Sequence, residues 1–495
     1  MLQLPKLEPI SVQKKKTILL LSDDLNAPSG IGTMSREIVF KTVKEFNWIQ
    51  LAASIQHPDA GKILDMSEFV SKETGVNDAS VILYPYSGYG DANILRHILT
   101  NHRVDGIVHF TDPRYWTWLY AMEHEIRSVF KIPLMYYSIW DDLPYPHWNY
   151  AAYSSCDLLM AINKQTHLIH KRVLEQGGSV AMDIDSVNVD GLKDDNATLC
   201  SYIPHGIDHE VYKPITEDPE YLSFVERFKT INNCEFVVFW NNRNIRRKQP
   251  GDVILSFKLF RDMLPDDQKD KVVLLMHTHP RDHNGTDLIA IHENIAPDCK
   301  VRFSVDRVEP RLMNYYYNLA DVTLNIASNE GFGLSNAESI MAGTPVIANV
   351  TGGLQDQMAF RDDNDAPYEP TDECPSNHGG KYILCGKWAH PVFPSNRSLQ
   401  GSLETPYIFD DRAAPEDIAK RIYQVYLQPR EERKNAGIEG RNWMINSANM
   451  TANKMGDLII RSVNICLQAF KPKNKFLFFK VKDRLKNTNP GISKI

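Results

Sequence analysis

Four short stretches of this chain carry residue types that can hold an anionic, hydroxyl-rich ligand. In SNEGFGLSNAESIMAGTPVIA, Glu330 precedes a glycine-bearing loop, and Glu338 follows inside the helix that the loop opens. Gly331 and Gly333 let backbone amides approach an anion at the N-terminus of that helix. The two carboxylates, on different elements, can face one cleft and bind separate hydroxyl groups. Ser335-Asn336-Ala337-Glu338 is also a capping box, in which Glu338 would only tie down the helix start. Upstream, NNRNIRRKQP supplies Arg243 and Lys248, cations suited to a phosphate or to an ordinary basic helix entrance. PSGIGTMSREI places Gly30 and Gly32 after an apolar run, a pattern that by itself marks a turn.

The hydrophobic pattern says what positions these stretches. TILLLS, GIVHF, PLMYYSIW and DLLMAIN alternate with longer amphipathic segments, and after IPHGIDHEVYKP the rhythm restarts with FVVFW, VVLLM, VTLNI and PVIANV. Strand followed by crossover helix implies a parallel sheet covered on both faces. The expected architecture is α/β with two doubly wound sheets joined near residues 205–215. The N-terminal domain would span 1–205 and the second 206–445, followed by a helix over 446–470 returning to the first domain and a basic tail over 471–495. Ligands of such sheets sit at the carboxyl ends of the strands, so the active site is expected in a cleft between the two sheets. Residues 176–199, polar and acidic, and 360–410, rich in Pro, Gly, Asn and Ser, break the rhythm and read as long surface loops.

At 495 residues, 43% hydrophobic and 24% charged, the composition is that of a soluble protein too long for one core. The run from Thr17 spans only about six residues, too few for a signal segment or a membrane span. Seven scattered cysteines argue for reduced thiols, so a cytoplasmic protein is expected. The net charge is −7, yet residues 471–495 hold eight Lys/Arg against one Asp. With Phe476, Leu477, Phe478 and Phe479, that tail could touch an anionic membrane surface or nucleic acid, or be a solvated end with a small apolar anchor.

Glu330 and Glu338 within EGFGLSNAE, followed by MAGTPVIA and TGG, resemble the signature of glycosyltransferase family 4, retaining glycosyl transferases of group 1 with the GT-B fold. PSGIGTMSREI is similar to that family's N-terminal glycine loop, IPHGIDHEVYKP to its interdomain strand and linker, and NNRNIRRKQP to its Arg and Lys phosphate-binding stretch. The resemblance covers most of the chain. It implies two Rossmann-like domains facing across a cleft and no required cofactor, the donor being a nucleoside-diphosphate sugar, with UDP or GDP expected. It further implies that Arg243 and Lys248 contact the donor diphosphate. Gly331, Phe332 and Gly333, with Leu334 at the helix start, would bind phosphate and sugar. Glu330 would bind hydroxyls of the donor sugar and Glu338 the nucleotide ribose, while Gly30 and Gly32 close over the phosphates from the other domain. The reaction implied is transfer with retention, in which the leaving phosphate helps accept the acceptor's proton.

The acceptor is expected on the N-terminal half. Members of the family often carry a His near the end of the strand matching PLMYYSIWDD, where this chain has Trp140 followed by Asp141. His109 at the end of GIVHF, Asp112, Trp140 and Asp141 are the acceptor-side candidates. The dense aromatics from Tyr115 to Tyr150 could stack on sugars or bases, or simply pack a core. Asp183-Ile184-Asp185 has the spacing of a metal-binding pair in transferases of another fold, but sits in a polar insertion. No metal is expected, although Cys374, His378, Cys385 and His390 could organise a zinc loop without matching an established spacing. The acceptor would be a glycan, lipid or small-molecule hydroxyl. Alternatives are a virus-type DNA glycosyltransferase acting on hydroxylated bases, and a sugar-binding protein of the same fold without turnover.

Overall fold

The computed structural model describes residues 15–186, 197–374 and 376–473. The basic tail beyond Lys473 and Asn196 lie outside the described residues.

The first apolar run forms the strand Lys16–Asp23, whose residues Ile18 to Leu21 are fully buried. Its side chains alternate between two cores. Ile18 and Leu20 pack with Met34 and Ile38 of the helix Gly30–Thr42 and with Met455 and Ile459 of the helix Ala452–Ala469. Leu19 and Leu21 pack with Leu95, Ile98 and Ile169 of helices on the opposite face. A strand buried on both faces must be apolar throughout, hence a continuous run rather than an alternating one.

Nine strands form this sheet, in the order Leu64–Asp65, Val81–Ser87, Phe46–Ser54, Lys16–Asp23, Gly106–Phe110, Leu134–Ser138, Leu158–Ala161, Ala197–Tyr202 and Val180–Asp183. Every pairing is parallel except that of Leu64–Asp65 with its neighbour. The second sheet has six parallel strands, in the order Val301–Ser304, Val272–His277, Phe236–Asn241, Val322–Asn325, Val346–Asn349 and Ala389–Val392. In each sheet the winding reverses beside the strand that comes first in the sequence. The switch points lie between Lys16–Asp23 and Gly106–Phe110, and between Phe236–Asn241 and Val322–Asn325. The crevice at a switch point is where such sheets bind ligands.

The chain crosses between the domains twice, and the two crossings lie together. Ile207 and Thr451 form a parallel bridge, in which the Ile207 amide donates to Met450 O at 3.0 Å and the Ala452 amide to Ile207 O at 3.0 Å. The helix Ala452–Ala469 then returns to the first domain, where Gly456 lies against Lys41 and Ser462 Oγ is 3.1 Å from Ser201 Oγ.

The two stretches expected as loops contain regular structure. The first supplies Val180–Asp183 and the start of Ala197–Tyr202 to the edge of the large sheet. The second supplies Ala389–Val392 to the smaller sheet and an antiparallel hairpin, Asn396–Gln400 with Ile408–Arg412. Pairing within the hairpin is local and its strands are largely polar, so no hydrophobic alternation announces them.

Candidate active site

Both switch points open onto one interdomain cleft of about 1810 Å³. From the smaller sheet, the strand Val322–Asn325 runs into residues 326–333 and then the helix Leu334–Met341. Gly333 begins that helix with φ 86°, a left-handed conformation in which a Cβ would also meet Leu354 Cδ2 at 2.6 Å. The loop is held by its carbonyls: the Gly353 amide donates to Glu330 O at 2.8 Å, and the side chains of Asn163 and Gln357 donate to Gly331 O and Phe332 O at 2.5 Å each. First-turn amides of a helix have no intrahelical acceptor. The amides of Leu334 and Ser335 belong to residues lining the cleft, a ready place for an anion.

Glu330 is buried beside this turn. It accepts from Lys248 Nζ and from Arg247 Nη1, the latter at 2.8 Å. Burial disfavours its ionised form, but the Lys248 ammonium and the Arg247 guanidinium outweigh burial and hold the carboxyl below its usual range. Lys248 is brought down to about 8, chiefly by burial, with Glu330 opposing the shift. The chain itself explains the meeting: Phe236–Asn241 and Val322–Asn325 are neighbouring parallel strands, and both basic residues and the carboxylate follow their carboxyl ends.

Glu338 does not close a capping box, since the helix start carries no side-chain cap. It turns to Tyr317, whose hydroxyl donates at 2.7 Å, and to Tyr212, and it lines the cleft. Burial raises its carboxyl to about 7, against the pull of the two tyrosine hydroxyls. Between pH 4.5 and about 7 the unfolded chain releases this proton and the folded chain keeps it, so rising pH destabilises the fold across that window. Glu338→Gln, which keeps the shape, should flatten the dependence, so that thermal melts favour the variant over wild type more strongly at pH 8 than at pH 5. An unchanged difference between the two pH values would contradict the raised carboxyl.

The structure separates the other sequence candidates. Arg243 lines the cleft but pairs with Asp282 at 2.8 Å at a largely exposed position, so Arg247, not Arg243, stands with Lys248 at Glu330. Arg247 was hidden in the run RRK, where spacing does not say which cation turns inward. Gly30 follows the N-cap Ser29, whose hydroxyl accepts from the Gly32 amide at 3.0 Å, and a Cβ on Gly30 would sit 3.4 Å from Leu334 Cδ1. The N-terminal glycine loop therefore touches the start of the helix that carries Glu338. Gly32 has a different role, because a Cβ there would meet Ala27 O at 2.5 Å, within its own turn.

On the acceptor side, Asp112, Trp140 and Asp141 line the cleft. Asp112 forks onto Arg114, and Trp140 Nε1 donates to Asp142 O at 3.0 Å. The Asp141 carboxylate lies against Gly331 and Gly352 of the other domain, and burial raises it to about 6 despite Arg247. Asp142, unflagged in the sequence, is pushed well above the carboxylate range by burial and by Asp141. His109 is corrected: it is fully buried, Nδ1 lies 2.7 Å from the Tyr120 hydroxyl, and its ring stacks on Tyr136 at 4.9 Å. Burial lowers it to about 3, so it is a neutral core residue among aromatics. Trp116, Tyr120, Tyr136 and Tyr153 share that core, the packing role for the aromatic segment.

The zinc candidates do not gather, and among the described residues no group of three or more His, Cys, Asp or Glu is arranged to hold a metal. His378 instead packs edge-on to Phe360 at 4.4 Å, and Cys385 Sγ approaches Ala389 O. Asp183 pairs with Lys171 at 2.9 Å and Asp185 with Arg461 at 2.6 Å, away from the cleft-lining residues. Lys473, the last described residue of the basic tail, ion-pairs with Glu123.

Residues 225–363 match the family model described as glycosyl transferases group 1. Trehalose synthase of Pyrococcus horikoshii is 30% identical over 109 residues, which is 22% of this chain and 26% of that relative, so the match spans about a quarter of the relative's length. Solved structures align over nearly the whole chain. The Anabaena protein HepE, in complex with UDP and glucose, has a TM-score of 0.56 at 13% identity, covering 91% of this chain and 99% of that one. A glycosyltransferase from Rickettsia africae reaches 0.59 at 15%, covering 93% and 100%. An α,α-trehalose-phosphate synthase (UDP-forming) from Burkholderia vietnamiensis reaches 0.58 at 10%, covering 91% and 97%. Among the described residues no helix is long and apolar enough to cross a membrane. The chain thus has the GT-B fold of these solved glycosyltransferases, and the stretch that matches the group 1 model contains Arg247, Lys248, Glu330 and Glu338 of the cleft.

Proposed function

We propose that this protein is a retaining glycosyltransferase that moves a sugar from a nucleoside-diphosphate sugar, a UDP-sugar before a GDP-sugar, to an acceptor hydroxyl. The observation that supports it most is the convergence of Lys248, Arg247, Glu330 and the amides of the turn Gly331–Ser335 at one switch point. Cations and oriented amides stabilise the charge that develops on a departing diphosphate, most effectively where water is excluded. Arg243 adds positive charge from the rim. Glu330, bonded by two cations, is a weak nucleophile and a good acceptor of donor-sugar hydroxyls. Glu338 takes the ribose hydroxyls, and Gly30 closes over the phosphates. As the acceptor oxygen bonds to the anomeric carbon and the bond from sugar to phosphate breaks, the hydroxyl proton passes to the departing diphosphate.

Solved structures of the fold bound to UDP or UDP-glucose support a uridine donor. We place the protein in the cytoplasm, its seven cysteines being unpaired thiols in the fold. Thermal shift against UDP, GDP, ADP, dTDP and CDP tests the donor site. UDP at 100 times its dissociation constant should stabilise wild type by about 2.7 kcal/mol, and Glu338→Ala should abolish the shift. No shift with any of the five would sink the reading.

A further inference from the structure

The cleft is larger than its donor end requires. Its 1810 Å³ exceeds the roughly 300–1,000 Å³ of sites that hold one small ligand. The donor elements account for the end at the smaller sheet's switch point. What completes the other end is the hairpin Asn396–Gln400 with Ile408–Arg412.

That hairpin is fastened at both ends. At its base, Asp411 is fully buried and accepts from Thr351 Oγ1 at 3.1 Å, Asn377 Nδ2 at 2.9 Å and Arg397 Nε at 3.2 Å, while its amide donates to Ser328 O at 3.0 Å. Asp410 accepts from Ser328 Oγ at 3.0 Å. Ser328 and Asn329 immediately precede Glu330, so the hairpin is anchored to the donor loop. Toward its turn it meets the N-terminal domain: Arg114 donates to the Thr405 hydroxyl, the Phe409 amide donates to Leu143 O at 2.7 Å, and Tyr407 packs edge-on to Trp148 at 4.5 Å. The cleft is bridged on that side.

We propose that this bridged end is the acceptor subsite, and that it takes a free saccharide of one or two rings. The inference rests on the glycosyltransferase reading above. Its chemistry is that of a polyol site: Asp112, Arg114, Gln400, Ser402 and Thr405 all line it, with Arg114 and Thr405 in direct contact. Asp142 also lines the cleft. A sugar's dense hydroxyls can both donate to and accept from such a lining. A lipid chain can do neither. A nucleic-acid duplex would have to displace the bridge and would meet Asp112, Asp142 and Asp410 with its phosphates.

Calorimetry on wild type saturated with UDP tests the subsite, titrating free glucose, galactose, mannose, trehalose and sucrose, and octyl glucoside alongside. At least one free saccharide should bind. Thr405→Trp, which breaks the contact to Arg114 and puts an indole among these lining groups, should weaken that saccharide at least tenfold and leave UDP affinity within twofold, which also reports that the variant is folded. Thr405→Ser should retain binding. Saccharide affinity unchanged in Thr405→Trp, or binding of octyl glucoside with no free saccharide bound, overturns the proposal. Failure of wild type to bind UDP is a separate result, which removes the donor reading itself.

Discussion

Lys248→Ala should lower the rate of sugar transfer by about 100- to 1000-fold, the range seen when one fixed donor to a developing anion is removed. The ammonium is almost wholly enclosed and bonds Glu330, which is also held by Arg247. Removing it takes away one of the two cations on Glu330 and leaves a buried carboxylate with the other. Lys248→Arg should rescue little, because a planar fork does not fit where a compact ammonium sits between packed groups. The pH profile separates this from simple unfolding. With Lys248 at about 8, the wild-type rate should fall as pH climbs through 8 and the ammonium deprotonates. Lys248→Ala should lose that limb. Initial rates from pH 6 to 9.5 decide it, and a high-pH limb that survives in the variant would assign the titration elsewhere.

Gly353→Ala should be almost as damaging by a different route. A Cβ there would lie 2.1 Å from Gly331 O, 2.9 Å from Gly331 C and 3.0 Å from Phe332 Cα, all of them backbone of the donor loop. No side-chain rotation relieves such a contact. The loop must move, and with it the Gly353 amide bond to Glu330 O. UDP affinity should fall at least 100-fold, with a loss of stability of about 1–3 kcal/mol as for other overpacked sites. Calorimetric titration with UDP and a urea melt measure the two. Near-wild-type UDP affinity in a folded variant would show that the turn tolerates displacement and that its amides do not hold the phosphates.

The sequence was most readable where burial on both faces forces a continuous apolar run. TILLLS, GIVHF, FVVFW, VVLLM and VTLNI are all inner strands, and the loop bearing Glu330, Gly331 and Gly333 follows one of them as the EGFGL pattern implies. It was least readable where structure depends on partners distant in sequence. His109 sits near the end of a strand, as ligand-binding residues do, but in a strand covered on both sides nothing in the pattern says which face a residue takes. Its side chain went to the aromatic core. Ser335 and Glu338 have capping-box spacing, yet Gly333 starts the helix in a left-handed conformation, and Glu338 finds Tyr317 and Tyr212 instead. The three consecutive tyrosines at 315–317 do not reveal which one turns to the cleft. The hairpin escaped notice because residues 360–410 read as one long surface loop, and only the fold brings Thr351, Asn377 and Ser328 to Asp410 and Asp411.

The paired crossings at Ile207 and Thr451 have a consequence for how the enzyme opens. Two connections far apart on a domain would allow either twisting or sliding; two held side by side by main-chain hydrogen bonds act as the spine of a book, permitting rotation about one line. Gly206 tightens the spine, since a Cβ there would lie 2.3 Å from Thr451 O. Any change in the gape of the cleft is then described by a single angle about that line.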